Sequence, residues 1–397
     1  MHTKVDRFLP YGRQTIDKED IQAVLKIFDG DYITQGPKIK EFEESLSSYV
    51  GAKYAVACNS GTSALHIACQ ALGLSRENNL VTSPITFLAT ANCAQFVGAD
   101  TLFVDIDSET YCMSANELEK LLSKEKIDVV VPVHMAGHSA DMDAIFELKK
   151  KYGFRIIEDA CHALGGEYKD TKVGSCTFSE MSTFSFHPVK HITTAEGGAV
   201  TTNDKELYKK LLRYRNHGMH KDSEDFINKG LAFDKNGLPN FWYYEMPEFG
   251  HNYRVTDIQC ALGISQLKKN ESFIKSRRKI AREYNNGFKE NPLITTPFEQ
   301  NYNKHAYHLY TLLVNFDKLG KSRNEVMKEL RDVKIGTQVL YIPVHFQPYY
   351  ANKYGFKPGD FKESEKYYQC CLSIPMFPSL SIFEIEYIID KVNCIIS

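Results

Sequence analysis

Short apolar runs that alternate with helical patterns constrain the fold of this chain more than any other feature. The run at 128–134, Asp-Val-Val-Val-Pro-Val-His, is too apolar for a strand with one face in water. Strands of this kind lie inside parallel sheets whose two faces are both covered. Other β-prone runs occur at 54–58, 80–84, 101–105 and 155–159, with helical patterns between them. We therefore predict a three-layer α/β domain with right-handed crossovers, which binds ligands at the carboxyl ends of its strands.

The C-terminal part of the chain predicts a second, smaller α/β unit. Its predicted elements are a strand, a helix and a terminal helix, at 308–315, 322–332 and 381–396. A polar segment at 220–248 is predicted to be a long loop or lid, ordered only in part. We place a large domain at 1–265, which includes an N-terminal arm at 1–50, and a small C-terminal domain at 266–397.

Charge and cysteine usage exclude several classes of protein. The 397 residues include 48 basic and 50 acidic side chains, so no charge excess indicates a nucleic-acid or membrane partner. No window reaches about 18 continuous apolar residues, so neither a signal peptide nor a spanning helix is expected. The ten cysteines form no Cys-x-x-Cys pattern. We therefore expect reduced thiols in the cytoplasm rather than disulfides, and no metal site.

The stretch at 184–202 places one lysine between two β-prone runs. Lys190 follows Pro188 and precedes the pair Gly197-Gly198. Burial disfavours the charged form of a lysine, and the neutral amine can attack a carbonyl carbon. Lys190 is therefore a candidate for forming a Schiff base. On this stretch alone, a solvated loop lysine explains the pattern equally well.

Two further stretches favour a ligand at the strand ends. Asn-Ser-Gly-Thr-Ser at 59–63 opens a helix, where free amide groups suit a phosphate, although an ordinary N-cap explains the same pattern. Asp159 ends a buried strand and is either a helix N-cap or the partner of a buried cation. His162 follows three residues later and can face the same pocket, although a structural role is more common for such a histidine.

Taken together, these residues meet the demands of pyridoxal 5'-phosphate (PLP). The cofactor needs a Schiff-base lysine, an acid that keeps the ring nitrogen protonated, a phosphate site and an aromatic wall. Lys190, Asp159, the helix start at 59–63 and Phe87 supply one candidate for each. No metal cluster or Ser-His-Asp triad in the sequence competes with this interpretation.

Four motifs resemble the DegT/DnrJ/EryC1/StrS sugar aminotransferases, over about residues 8 to 395. They are Asn-Ser-Gly-Thr-Ser-Ala-Leu at 59–65, Glu-Asp-Ala at 158–160 continuing to Gly165, Ser-Phe-His-Pro-Val-Lys at 185–190 continuing to Gly198, and Gly-His-Asn-Tyr-Arg-Val-Thr-Asp at 250–257. The resemblance implies the aspartate aminotransferase fold (fold type I) of the PLP-dependent transferases. In that fold a mixed, mostly parallel, seven-stranded sheet lies in an α/β/α sandwich, beside a smaller C-terminal α/β domain.

The resemblance also implies a role for each matching residue. Lys190 would bind the cofactor and shuttle protons, and Asp159 would pair with the ring nitrogen. His162 stands where many members have Gln, beside the ring hydroxyl. The remaining cofactor contacts would be Ser60, Gly61, Thr62, Phe87 and Ser185. Asn252 and Arg254 would complete the phosphate site, and Asn252 would come from the neighbouring subunit of a homodimer. The substrate contacts would be Tyr11, Ile33, Thr34, Gln35, Gly36, His187, Gln338 and Tyr341.

Two motifs, His-Ala-Leu-Gly at 162–165 and Ile-Thr-Thr-Ala-Glu-Gly-Gly at 192–198, are most similar to those of members that act in pseudaminic acid biosynthesis. The resemblance implies that L-glutamate converts PLP to the pyridoxamine form, and that the amino group then passes to C4 of a UDP-linked 4-keto-6-deoxy-N-acetyl-hexosamine. Another UDP- or TDP-linked 3- or 4-keto sugar is an alternative substrate. A sugar dehydratase of this fold has histidine at the lysine position, so Lys190 argues against it. A non-catalytic binding protein would need neither Lys190 nor Asp159.

Overall fold

A seven-stranded sheet forms the centre of the computed structural model, which describes residues 5–397. The strands in the described residues are β1 (Tyr54–Cys58), β2 (Asn79–Thr82), β3 (Asp100–Phe103), β4 (Val129–Val130), β5 (Arg155–Asp159), β6 (Glu167–Tyr168), β7 (Thr171–Lys172), β8 (Met181–Ser185), β9 (Gly198–Thr202), β10 (Ile294–Thr295), β11 (Asn303–Lys304), β12 (Tyr310–Val314) and β13 (Cys371–Ile374). The order of the central sheet is β1-β9-β8-β5-β4-β2-β3, and β9 alone runs against both of its neighbours. The mixed, mostly parallel sheet predicted from the sequence is confirmed.

Helices cover both faces of this sheet, and other helices lie in the C-terminal part of the chain. In the described residues they are α1 (Lys18–Leu25), α2 (Pro37–Val50), α3 (Gly61–Ala71), α4 (Leu88–Phe96), α5 (Ala115–Leu122), α6 (Met142–Tyr152), α7 (Lys205–Arg215), α8 (Lys229–Ala232), α9 (Asp257–Phe288), α10 (Phe316–Leu319), α11 (Arg323–Asp332), α12 (Pro348–Tyr354), α13 (Lys362–Cys370) and α14 (Ile382–Ile395). No helix of residues 5–397 combines the length and the apolar character that crossing a bilayer requires.

Alternate residues of each strand point to opposite faces of the sheet, and each face has its own core. On one face, α3, α4 and α7 pack against the sheet through residues such as Leu65, Cys93 and Leu211. On the other face, α2 and α9 pack through Phe42 and Ile264, while α5 and α6 pack beside them. The result is the predicted three-layer arrangement.

A separate core lies near the C-terminus. The second half of α9, with Tyr284 and Phe288, packs there against β12, β13, α11 and α14. Val5 and Leu9, from the N-terminal arm, also lie in this core. One continuous helix therefore joins the two parts of the chain across residue 265, and the division at this residue stays a prediction.

The structure departs from the sequence predictions in several places, including β4, α5 and the segment at 220–248. The run at 128–134 forms only the two-residue strand β4, because Pro132 has no amide hydrogen to donate, and pairing resumes as an isolated bridge between Val133 and Asp159. Helix α5 was not predicted. The segment at 220–248, predicted as a loop or lid ordered only in part, is described throughout and contains α8 and a 3₁₀ turn at Ser223–Asp225.

Candidate active site

A cavity of about 400 Å³ opens where the parallel strands of the central sheet end. Asp159 is the last residue of β5, and Ser185 is the last residue of β8. Ser60 follows β1 and caps α3. Eleven residues predicted from the sequence line the cavity: Tyr11, Ser60, Gly61, Thr62, Phe87, Asp159, His162, Ser185, His187, Lys190 and Tyr341.

Lys190 lies on the connection between β8 and β9. These strands pair antiparallel up to Ser185 and Gly198, so the connection is held at both ends. The amide of Lys190 donates to the carbonyl of His187 across 2.9 Å, which closes a turn. Burial lowers the pKa of Lys190 below its ordinary value, although Cys161 and Asp159 oppose the shift. The amine is therefore closer to its neutral, nucleophilic form than a surface lysine would be.

Asp159 is 5% exposed and is held at both of its carboxylate oxygens. The hydroxyl of Thr90 donates to Oδ2 across 2.6 Å, and the amide of Cys161 donates to Oδ1 across 3.1 Å. A carboxylate offers about four lone-pair sites, so acceptor capacity remains on the side of the cavity. The arrangement suits a protonated nitrogen as a ligand.

The N-terminus of α3 forms one wall of the cavity. Ser60 accepts from the amide of Ser63 across 3.1 Å, and the first turn then begins at Gly61 and Thr62. Amides in a first turn have no partner within their own helix, and the positive end of the helix dipole favours an anion. A Cβ at position 61 would lie 2.9 Å from Cβ of Ser185, so glycine permits this close approach. This wall can hold a phosphate.

A histidine–tyrosine pair forms the opposite part of the cavity. Nε2 of His162 lies 3.0 Å from the hydroxyl of Tyr341, and the ring of His308 lies 4.4 Å from that of His162, centroid to centroid. Burial, and then the charge of Lys190, lowers the pKa of both His162 and His308 well below the ordinary range. Both imidazoles are therefore neutral near pH 7 and can donate or accept, but carry no charge.

Phe87 lies at the rim of the cavity. It is 56% exposed, and its ring centroid lies 6.0 Å from that of Tyr341. An exposed aromatic face at this position offers a flat apolar surface to a planar ligand.

Seven of the predicted residues do not line this cavity. They are Ile33, Thr34, Gln35, Gly36, Asn252, Arg254 and Gln338. Gln35, Gly36 and Arg254 instead line a second cavity of about 530 Å³. Within the chain, Arg254 donates to Asn216 across 2.7 Å and Asn252 forms an isolated bridge with the same residue. Their predicted roles require a second subunit and remain predictions.

Sequence reasoning missed five polar residues that line the first cavity. They are Thr86, Thr90, Cys161, Glu196 and His308. Cys161 and Glu196 lie inside the motifs at 158–165 and 185–198. Their positions beside predicted site residues could therefore have identified them. Thr86 and Thr90 are four residues apart, which is the spacing of one helix face. Nothing in the sequence connects His308 to this site.

Comparison with known proteins places the chain among the aminotransferases. Residues 14–393 match the DegT/DnrJ/EryC1/StrS aminotransferase family. The chain is 38% identical over 397 residues to the spore coat polysaccharide biosynthesis protein SpsC of Bacillus subtilis, covering 100% of this chain and 99% of that protein. It is also 38% identical over 390 residues to the UDP-4-amino-4,6-dideoxy-N-acetyl-beta-L-altrosamine transaminase of Campylobacter jejuni, covering 98% and 97% of the two chains.

The fold agrees with a solved structure. Helicobacter pylori PseC, an aminotransferase involved in the biosynthesis of pseudoaminic acid, is 34% identical and gives a TM-score of 0.88, covering 98% of this chain and 99% of that one. The fold is therefore fold type I of the PLP-dependent transferases, as predicted. More narrowly, the chain belongs to the DegT/DnrJ/EryC1/StrS aminotransferase family, which confirms the resemblance drawn from its motifs.

Proposed function

We propose that this protein is a PLP-dependent aminotransferase that moves the amino group of L-glutamate to C4 of a UDP-linked 4-keto-6-deoxy-N-acetyl-hexosamine. One observation carries the proposal: Lys190 and Asp159 meet in a single cavity beside the N-terminus of α3. Such a pair at a phosphate-binding helix end is what PLP requires of a protein.

The residues around the cavity fit PLP. Nδ1 of His162 is buried and has no hydrogen-bond partner among the described residues, so a polar atom of a ligand can satisfy it. The absence of a Cβ at Gly61 lets the first turn of α3 lie against Ser185, so that the helix N-terminus and this serine line the same wall, where a phosphate would bind. Asp159 retains the acceptor capacity that a ring N–H needs. These features support PLP as the cofactor.

When bound, PLP supplies an aldehyde for the amino group and a ring that withdraws electrons, and it alternates with its pyridoxamine form. The residues of the chain supply positioning and proton transfer. Nζ of Lys190 accepts a proton from the α-carbon of glutamate and later delivers one to C4 of the sugar. Asp159 would hold the ring nitrogen of the cofactor and the N-terminus of α3 its phosphate, which would orient the reacting groups.

The sugar is proposed from the relatives, two of which are named for pseudaminic acid biosynthesis or a sugar of that kind. Another UDP- or TDP-linked keto sugar stays the second candidate, since SpsC is equally similar and is named for a spore coat polysaccharide. The predicted contacts to the sugar are Tyr11, His187 and Tyr341 in the cavity, with the loop at 33–36 and Gln338 outside it. The cytoplasm remains the expected location, since the ten cysteines are free thiols.

The proposed function predicts a visible signature. The purified protein should be yellow from bound PLP, and L-glutamate should bleach this band within the time of one turnover. A panel of UDP- and TDP-linked 3- and 4-keto sugars should then restore the band, with the UDP-linked 4-keto sugar fastest. A protein without the band, or one whose band glutamate leaves unchanged, contradicts the aminotransferase. Restoration by TDP-linked sugars alone favours the second candidate.

The rate of amino transfer should fall at acid pH. Protonated Lys190 cannot accept a proton, so activity is present above the pKa of its amine and is lost below it. Because burial lowers this pKa, the loss should occur below the ordinary range of lysine. Measuring kcat between about pH 6 and 9 tests the expectation. A flat profile over that interval contradicts it.

The site is proposed to be completed by a second copy of the chain. Phe241, Trp242 and Phe249 are each at least 74% exposed, and exposed apolar patches of this kind mark interfaces. Asn252 lies three residues beyond this patch and does not line the cavity of its own chain. These observations support a homodimer in which Asn252 reaches the phosphate of the neighbouring site.

A shared site predicts complementation between two inactive variants. Lys190→Arg removes the amine from the site of its own subunit. Asn252→Ala removes the side chain that its subunit contributes to the site of the neighbouring subunit. Co-expressed chains should form mixed dimers in which one site has both native residues, which recovers roughly a quarter of wild-type activity. Each variant alone should lack activity. Mixed dimers that stay inactive would place Asn252 in the site of its own subunit, and an Asn252→Ala variant that is active alone would place Asn252 outside any site.

A further inference from the structure

We propose that Thr90, supported by Thr86, is a positioning residue that fixes the Asp159 carboxylate for contact with the cofactor ring. The inference rests on the proposed function and adds to it two residues that the motifs did not include. Both threonines line the cavity, and both are almost fully buried, at 1% and 2% exposed.

The three side chains form one hydrogen-bonded row. The hydroxyls of Thr86 and Thr90 lie 2.7 Å apart, and the hydroxyl of Thr90 lies 2.6 Å from Oδ2 of Asp159. The direction of the row follows from chemistry, because an ionised carboxylate can only accept. Thr90 therefore gives its single proton to Asp159, and Thr86 gives its own proton to Thr90.

Local structure explains why the row is rigid. Thr90 lies in the first turn of α4, and its amide donates to the carbonyl of Phe87 across 3.1 Å. Its branched side chain has few allowed rotamers in a helix. Asp159 ends a strand at the centre of the sheet, and its other oxygen is already held by the amide of Cys161. The carboxylate is thus fixed by one backbone donor and one hydroxyl.

A fixed carboxylate matters more here than an ordinary buried hydrogen bond. Hydrogen bonds to charged groups are about twice as strong as neutral ones, and Asp159 is buried. If the hydroxyl is removed, Asp159 can rotate and is less well matched to a ring N–H. The defect should therefore be seen in cofactor binding and in its spectrum, not only in stability.

The test compares four variants of the full-length protein after PLP has been removed. Thr90→Val and Thr90→Ala remove the hydroxyl, Thr90→Ser keeps it, and Thr86→Val removes only the second donor. Titration with PLP, followed by absorbance, gives the dissociation constant of each variant. Thermal unfolding of the same cofactor-free samples reports any loss of packing.

We expect Thr90→Val and Thr90→Ala to bind PLP roughly tenfold more weakly than the wild type and to shift its absorbance band. Thr90→Ser should recover most of the affinity, and Thr86→Val should fall between. Unchanged affinity in both Thr90→Val and Thr90→Ala overturns the inference, as does a Thr90→Ser variant as weak as Thr90→Val. A wild-type protein that does not bind PLP overturns the proposed function and this inference together.

Discussion

Replacing Lys190 with arginine is expected to abolish amino transfer, with kcat lowered by at least about a thousandfold. Arginine is similar in length to lysine and is always charged near pH 7, so it fills the position of Lys190 without offering a neutral amine. It cannot give up its proton near neutral pH, and therefore it can neither attack an aldehyde nor move a proton from carbon. Single-turnover assays with glutamate and the keto sugar measure the loss directly.

The Lys190→Arg variant also needs proof that it is folded. The residue lies on a connection whose two ends are fixed by the pairing of β8 and β9, so the sheet should be unaffected. Circular dichroism and the size of the assembly should match those of the wild type. If this variant aminates sugars at the normal rate, the proposed role of Lys190 is wrong.

Replacing Asp159 with asparagine is expected to lower kcat by roughly a hundredfold to a thousandfold. Asparagine has the same shape, but it has only one carbonyl oxygen. It can still accept from the amide of Cys161, while its NH2 group would donate to the hydroxyl of Thr90 instead of accepting from it. It has no charge, however, and a neutral amide does not hold a proton on a pyridine nitrogen as a carboxylate does. The ring would then withdraw electrons less well, and removal of the α-proton should become the slow step.

Glu158 provides a matched control for this substitution. It is the neighbouring residue on β5, it is also buried, and its side chain points to the opposite face of the sheet. Its carboxylate contacts His134 across 2.8 Å and accepts from Ser179 across 2.5 Å. We expect Glu158→Gln to lower the unfolding temperature and to leave kcat within about threefold. Equal losses of kcat in Asp159→Asn and Glu158→Gln would mean that the effect is structural.

Elements with strong local signals were predicted well. The predicted limits of β1 and β5 agree with the structure, and those of α11 agree to within one residue. The apolar runs of the two strands, and Ser322 as the cap of α11, define these ends locally. The small sheet of β6, β7 and β11 could not be predicted, because each strand has only two residues and β11 pairs with a strand more than 130 residues earlier.

The same difference between local and distant information applies to the site. Lys190, Asp159 and the helix start at Gly61 lie inside continuous motifs, and the structure brings them together in one cavity. Thr90 belongs to the site because its hydroxyl donates to Asp159, which lies 69 residues later in the chain. His308 comes into the cavity through the packing of the C-terminal part of the chain, for which no local pattern exists. Residues of this kind can be identified only from the three-dimensional structure, because no spacing in the sequence marks them.

The 32 residues of α9 form a rod roughly 48 Å long that belongs to two cores at once. In the second half of α9, fully buried Arg277 donates to the carbonyls of Tyr307, His308 and Met376. The amide of Met376 in turn donates to the carbonyl of Tyr11. Two residues that line the cavity, Tyr11 and His308, are therefore both connected to α9 through Arg277. A tilt of the C-terminal part would therefore move Tyr11 and His308 together, while Lys190 and Asp159 would keep their positions at the central sheet.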